Sequence, residues 1–106
     1  MNIREKLVEQ FDDEKLLFAD GLDKAIIGVC EDVNAPPRII YSVKKCIDIL
    51  AKEMDVKKKD LEEDEIESGM TVTDKKYELA REHFEFNVSG GYVGERTPVW
   101  CKELED

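Results

Sequence analysis

The sequence predicts a small α+β domain with the element order α-β-β-α-α-β. Two observations support this fold class. Two runs rich in β-branched residues lie close together in the first half of the chain, and stretches with apolar residues at helical spacing flank them on both sides. With 106 residues, of which 42% are hydrophobic, the chain suits one domain, residues 1–106, with one core. We therefore expect a three-stranded antiparallel sheet backed by helices.

The first helix is predicted to begin after Asn2, because an asparagine side chain can accept a hydrogen bond from the first turn of a helix. The apolar residues that follow have helical spacing: Ile3, Leu7, Val8 and Phe11. Further along, the dipeptide Asp20-Gly21 is typical of a turn. The chain is expected to bend there before the first strand.

Two segments, Ala25–Cys30 and Arg38–Val43, have the β-branched composition of strands. The connection between them, Glu31–Pro37, contains two adjacent prolines, which are rarely tolerated inside a sheet. We therefore expect an antiparallel hairpin with a long loop that holds both prolines. Gly28 lies inside the first of these strands and predicts either a bulge or a close approach of another backbone segment.

Two further helices are predicted, each with a hydroxyl side chain at its start. Ser42 is a candidate N-cap for residues 43–54, and Thr71 and Thr73 are alternative N-caps for a helix over residues 74–89. The last helix is expected to bury its apolar side chains, namely Tyr77, Leu79, Ala80, Phe84, Phe86 and Val88. Glycines 90, 91 and 94 then form an elbow before a third strand over residues 97–101.

The charge balance narrows the partners that this protein can bind. Sixteen Lys and Arg residues stand against 26 Asp and Glu residues, a formal charge of −10. This charge repels nucleic acid and anionic membranes and favours partners with a basic surface. Three cysteines without metal-type spacing and an N-terminus without a signal-like pattern predict a cytoplasmic protein without a metal site. No apolar run is long enough to span a membrane, so we predict no membrane segment. We also predict no cofactor, and either a monomer or a small homo-oligomer.

Four segments of the chain resemble a family of small phage- and prophage-encoded proteins. They are Asp20-Gly-Leu-Asp-Lys-Ala-Ile-Ile-Gly-Val29, Ile40-Tyr-Ser-Val-Lys-Lys-Cys-Ile47, Gly69-Met-Thr71, and Ala80 followed by Glu85-Phe-Asn-Val-Ser-Gly-Gly-Tyr-Val-Gly-Glu-Arg-Thr-Pro-Val-Trp100. The resemblance implies a viral or mobile-element gene expressed in a bacterial cytoplasm, and it implies no particular reaction. Residues 56–68 depart from the family pattern as an insertion.

That insertion belongs to a charged stretch at about residues 55–69 and contains the first candidate site. Its carboxylates are Asp60, Glu62, Glu63, Asp64, Glu65 and Glu67. One interpretation is a solvated linker, because few apolar residues are available for burial. The other is a surface that imitates nucleic-acid phosphates and binds a basic groove on a host protein.

The glycine elbow is the second candidate site, because exposed backbone amides at such a bend can hold an anion. Its polar and aromatic residues are Asn87, Tyr92, Glu95, Arg96 and Thr97. A purely conformational interpretation, with Asn87 ending the helix and Thr97 starting the strand, is the alternative.

Two functions remain open from the sequence. The first is an acidic binding protein that inhibits or redirects a host factor, such as a nucleic-acid-handling defence enzyme. The second is a small-molecule or nucleotide-binding module at the elbow, with Arg38 and Lys44 as additional cations. An enzyme is the third possibility in rank, because no nucleophile, base and orienting group can be placed together, and we therefore predict no catalytic residues.

Overall fold

A computed structural model of the protein describes residues 2–11, 16–91 and 94–104. The chain divides into two compact units, the first comprising Met1–Cys46 with Gly91–Asp106 and the second comprising Ile47–Gly90. Helices occur together with a three-stranded sheet, which confirms the predicted α+β class. We call the two parts the sheet unit and the helical unit.

The elements follow one another in nearly the predicted order. In the sheet unit they are α1 (Ile3–Gln10), a 3-10 turn (Asp23–Ala25), β1 (Ile26–Asp32), β2 (Ala35–Ser42) and β3 (Val99–Cys101). Helix α2 (Val43–Glu53) begins in the sheet unit and continues into the helical unit. The rest of the helical unit contains a 3-10 turn (Lys58–Asp60), α3 (Glu63–Glu67), α4 (Val72–His83) and a π-helical turn (Phe84–Val88).

The sheet has the order β1-β2-β3 and is mixed. β1 and β2 are antiparallel, whereas β2 and β3 are parallel, so the prediction of a fully antiparallel sheet is wrong. A parallel neighbour needs a long crossover connection, and the chain from α2 to the π turn supplies one. The sequence pattern identified the strands but did not indicate the direction in which the third would run.

The β1–β2 hairpin is tighter than predicted. Asp32 pairs with Ala35, so the turn consists of two residues and both prolines lie within β2. The next pair joins Cys30 to Arg38, which leaves Pro36 and Pro37 opposite a single residue of β1. Because a bulge interrupts the hydrogen-bond ladder, the missing proline N–H groups are tolerated there. A second irregularity lies next to Gly28 and agrees with the bulge, the first of the two alternatives predicted there.

The core of the sheet unit is organised by β2, in which alternate side chains are buried. Ile39 and Tyr41 are fully inaccessible to solvent. The Tyr41 hydroxyl accepts a hydrogen bond of 2.7 Å from the backbone N–H of Ala19, and its ring lies 5.2 Å from that of Trp100 between centroids. Tyr41 therefore joins the segment before the first 3-10 turn, β2 and β3 around one side chain.

Helix starts follow the predicted capping chemistry. Asn2, Ser42 and Thr71 each accept, through a side-chain oxygen, the N–H of the residue three positions further on. Thr71, rather than Thr73, caps α4, and the Asp74 side chain accepts the Thr71 N–H in return. These local contacts explain why helix starts could be predicted closely.

The last helix buries Phe84 as predicted but leaves Phe86 exposed. Phe84 retains 3% of its solvent exposure, whereas Phe86 retains 82%, so the expectation that Phe86 would widen the buried face is wrong. Residues two positions apart on a helix point in nearly opposite directions. In the π turn, the Ser89 N–H donates to the Phe84 carbonyl, five residues back, at 2.8 Å.

Candidate functional site

The acidic turn, which we define as residues 57–68, is folded by two successive local hydrogen bonds. The Lys57 N–H donates to Asp60 Oδ2 at 2.8 Å, and the Glu62 N–H donates to Glu65 Oε1 at 2.9 Å. In each case a carboxylate returns three residues to satisfy a backbone donor at the start of a short helical segment. The acidic stretch therefore has a defined conformation with a 3-10 turn and α3 in place of an irregular excursion.

Lys75 of α4 connects the acidic turn to the rest of the helical unit. Its ammonium nitrogen lies 2.8 Å from Glu65 Oε2 and 3.9 Å from Glu78 Oε1. The side chains of Lys75 and Glu65 are only 19% and 15% exposed. The hydrogen bond from Lys75 lowers the pKa of Glu65, and the same bond raises the pKa of Lys75. Glu65 therefore holds the turn in place.

Five carboxylates of the acidic turn are exposed: Asp60, Glu62, Glu63, Asp64 and Glu67. Asp60 is also engaged through one oxygen with the Lys57 N–H, which leaves four outward carboxylates on and beside α3. Glu63 and Glu67 are four residues apart in a helix, so their charges face the same side and repel each other. We call Glu62, Glu63, Asp64 and Glu67 the acidic face.

A second contact stabilises the helical unit between α2 and α4. Tyr77 and Asp48 share a hydrogen bond, which raises the pKa of the Tyr77 hydroxyl, with burial as a smaller cause. Among the apolar residues near the acidic turn, Val56 is buried, Leu61 is half-buried and Ile66 is 49% exposed. Polar contacts of Lys75 and Tyr77 therefore connect α4 to the acidic turn and to α2.

The glycine elbow contains a hydrogen-bonded turn between Gly94 and Thr97. Thr97 is buried, and its Oγ1 and N–H both donate to the Gly94 carbonyl, at 2.7 and 3.2 Å. The Thr97 carbonyl accepts a hydrogen bond of 2.6 Å from Arg38 Nε, so the structure brings these two predicted residues together. Glu95 is exposed and Arg96 is half-buried. The geometry at Thr97 is that of a turn that leads the chain into β3.

Two further predicted residues of this candidate site, Asn87 and Lys44, are exposed. Tyr92 lies outside the described residues. Asn87 belongs to the helical unit, is exposed, and places Nδ2 3.3 Å from Nδ1 of His83, one helical turn earlier. Lys44 is exposed near the start of α2.

One charged cluster was not predicted from the sequence. Arg4 Nε donates to Asp23 Oδ2 at 2.7 Å, with a longer contact of 3.4 Å to Asp20 Oδ1, and the hydrogen bond to Asp23 raises the pKa of Arg4. The Arg4 guanidinium also lies 4.6 Å from the centre of the Phe18 ring. Its acidic partners are 16 and 19 residues away in sequence, too far for a helical spacing rule to detect. The cluster attaches α1 to the 3-10 turn before β1.

Cys46 is buried, and burial raises the pKa of its thiol to about 11, so the thiolate form is suppressed at neutral pH. Within residues 2–11, 16–91 and 94–104, no group of three or more His, Cys, Asp or Glu residues is arranged to hold a metal ion. In the same ranges, every helix is too short or too polar to cross a membrane. Comparisons with protein-family models, with curated proteins and with solved structures gave no match.

Proposed function

We propose that this protein binds a basic surface on a partner protein through the acidic face and thereby inhibits or redirects that partner. The observation that supports the proposal is the arrangement of the acidic turn. Two carboxylates, Asp60 and Glu65, fold the turn, and four others point to solvent. Like charges held together in a fixed array repel one another in the free protein, and a partner rich in Lys and Arg relieves that repulsion.

The partner class follows from the same electrostatics. A short array of carboxylates resembles the phosphates of a nucleic-acid backbone in charge, and a groove that binds nucleic acid carries the complementary Lys and Arg residues. The family resemblance adds a phage setting. We therefore propose a host enzyme that handles nucleic acid, encountered in the bacterial cytoplasm, as the partner, with no direct contact between this protein and nucleic acid.

The alternative, a nucleotide-binding elbow, has weaker support from the geometry. The hydroxyl and N–H of Thr97 already donate to Gly94, and Arg38 already donates to the Thr97 carbonyl. A phosphate at this position would compete with those contacts for its donors. We therefore rank this function second, and binding that depends on Arg96 but not on the acidic face would promote it.

Affinity capture from a bacterial lysate with two charge-matched variants tests the proposal. The first variant neutralises the acidic face (E62Q, E63Q, D64N and E67Q). The control neutralises four exposed carboxylates of the sheet unit: Glu5→Gln, Glu9→Gln, Glu31→Gln and Asp32→Asn. Both variants lose four negative charges, and neither change affects Glu65, which holds the turn in place.

We expect the wild type and the control variant to capture the same basic protein. The acidic-face variant should not capture it. Capture should also weaken as salt rises through the physiological range, where screening lengths fall to about 8 Å, and added DNA should compete. Equal capture by the acidic-face and control variants, or capture that neither salt nor DNA reduces, would refute the proposal.

A further inference from the structure

Phe86 is far more exposed than a phenylalanine usually is in a folded protein. It retains 82% of its exposure within the π turn, two residues beyond the buried Phe84. When a partner covers an exposed aromatic ring, apolar surface is removed from water, which stabilises the complex. Aromatic side chains are therefore frequent among the residues that dominate protein–protein binding energy.

Phe86 belongs to the same face of the last helix as the contact that holds the acidic turn. Lys75, Glu78, Glu82 and Phe86 follow one another at spacings of three, four and four residues, which place them along one side of a helix. Lys75 at one end contacts Glu65 of the acidic turn, and Phe86 lies at the other end. At 1.5 Å per residue, the stripe is about 16 Å long.

The charges beside Phe86 determine which partner could cover it. Glu82 and Glu85 are exposed, one four residues before Phe86 and the other immediately before it. A nucleic acid, an anionic membrane or a second copy of this chain, with its formal charge of −10, would bring negative charge against these carboxylates. A protein surface with Lys or Arg around an apolar pocket is complementary to both the ring and its acidic neighbours.

We propose that the partner-binding surface extends from the acidic turn along this stripe, and that Phe86 is its aromatic anchor in an apolar pocket rimmed by Lys and Arg. This inference rests on the proposed function and assigns separate roles in binding to the acidic face and to Phe86. The acidic face governs how fast the partner arrives, because charge acts at long range. Phe86 governs how long the partner stays, because its contact forms only after docking.

Two synthetic peptides of equal charge test this division on the full-length protein. One is an amphipathic helix of Lys and Leu, and the other has each Leu replaced by Ser. Binding rates and affinities are measured for the wild type, for Phe86→Ala and for the control Val33→Ala. Val33, in the hairpin turn of the sheet unit, is 99% exposed, so both substitutions remove an exposed apolar side chain. Circular dichroism verifies that each variant is folded.

We expect Phe86→Ala to weaken binding of the Lys/Leu peptide about tenfold, mainly through faster dissociation. Binding of the Lys/Ser peptide should not change. Val33→Ala should change neither. If Phe86→Ala leaves both peptides unaffected while the acidic-face variant loses both, the anchor is refuted and the proposed function stands. If the wild type binds neither peptide at low salt, both proposals fail.

Discussion

Both units use charged side chains to stabilise the fold, and the helical unit also presents a cluster of four neighbouring carboxylates to solvent. In the sheet unit, Arg38 donates to the Thr97 carbonyl, and Arg4 joins Asp23 and the ring of Phe18, so these arginines stabilise the chain that surrounds them. In the helical unit, Lys75 holds Glu65, and four neighbouring carboxylates point to solvent. The net charge of a small protein is therefore a poor guide to its partners until the charges that stabilise the fold are separated from those that are presented to solvent.

The largest loss of stability is expected from a substitution in the core of the helical unit. Phe84→Ala should destabilise the protein by about 3–5 kcal/mol, because it removes a buried ring from a small core. Phe86→Ala should change the free energy of unfolding by less than about 0.5 kcal/mol, as expected for an exposed side chain. Urea unfolding of the two variants measures both values. Similar losses in both would show that the two side chains have been assigned to the wrong faces.

A smaller loss is expected in the core of the sheet unit. Tyr41→Phe keeps the ring beside Trp100 but removes the acceptor for the Ala19 N–H, so it should destabilise the protein by about 1 kcal/mol. Hydrogen exchange of the Ala19 amide should become faster in this variant. An unchanged exchange rate would contradict the role of Tyr41 as the group that joins the Ala19 segment to the sheet.

The contact between Glu65 and Lys75 predicts that the stability of the protein depends on pH. A carboxylate with a lowered pKa stabilises the fold above its ordinary value of 4.5, and that contribution is lost as pH falls through the lowered pKa. The raised pKa of Lys75 gives stability that is complete below its ordinary value of 10.5 and is lost as pH rises through the raised pKa.

Glu65→Gln should therefore remove part of the acid-induced loss of stability that the wild type shows. Thermal unfolding of the variant and the wild type, followed by circular dichroism between pH 2 and pH 7, provides the comparison. The same acid response in the variant and the wild type would contradict a stabilising role for the Glu65 carboxylate.

Replacement of the acidic turn should separate binding from folding. A short Gly-Ser link in place of residues 57–68 retains the buried Val56 and removes mostly exposed side chains. We expect the fold to be retained with a cooperative unfolding transition and binding to basic probes to be lost. Loss of cooperative unfolding would show that Leu61 and Ile66 contribute to a core.

Local patterns in the sequence predicted local structure well. The caps at Asn2, Ser42 and Thr71 depend on contacts within three residues, and the burial of Phe84 follows from helical periodicity, so each could be deduced without the fold. The exposure of Phe86 was also available from periodicity, because it lies two residues from Phe84. Composition alone favours one apolar face for both residues, because both are phenylalanine, and that prediction is wrong for Phe86.

Features that depend on distant parts of the chain could not be predicted in this way. The parallel direction of β3 depends on the route of the chain after β2, and the prolines of β2 are accommodated by a bulge that only the pairing reveals. The contact between Lys75 and Glu65 joins residues ten apart on separate helices. For this reason the six carboxylates of residues 60–67 looked equivalent in sequence, although two of them fold the turn.

We propose that the position of the acidic face, and not the total charge of the protein, drives binding. The most direct test is the association rate constant for the Lys/Ser peptide, measured by stopped flow from about 50 to about 300 mM salt. We predict that the acidic-face variant associates several-fold more slowly than the wild type at low salt, with a shallower salt dependence, while the charge-matched sheet-unit control remains within about twofold of the wild type. Equal slowing in both variants would contradict the claim, because it would show that net charge alone sets the rate.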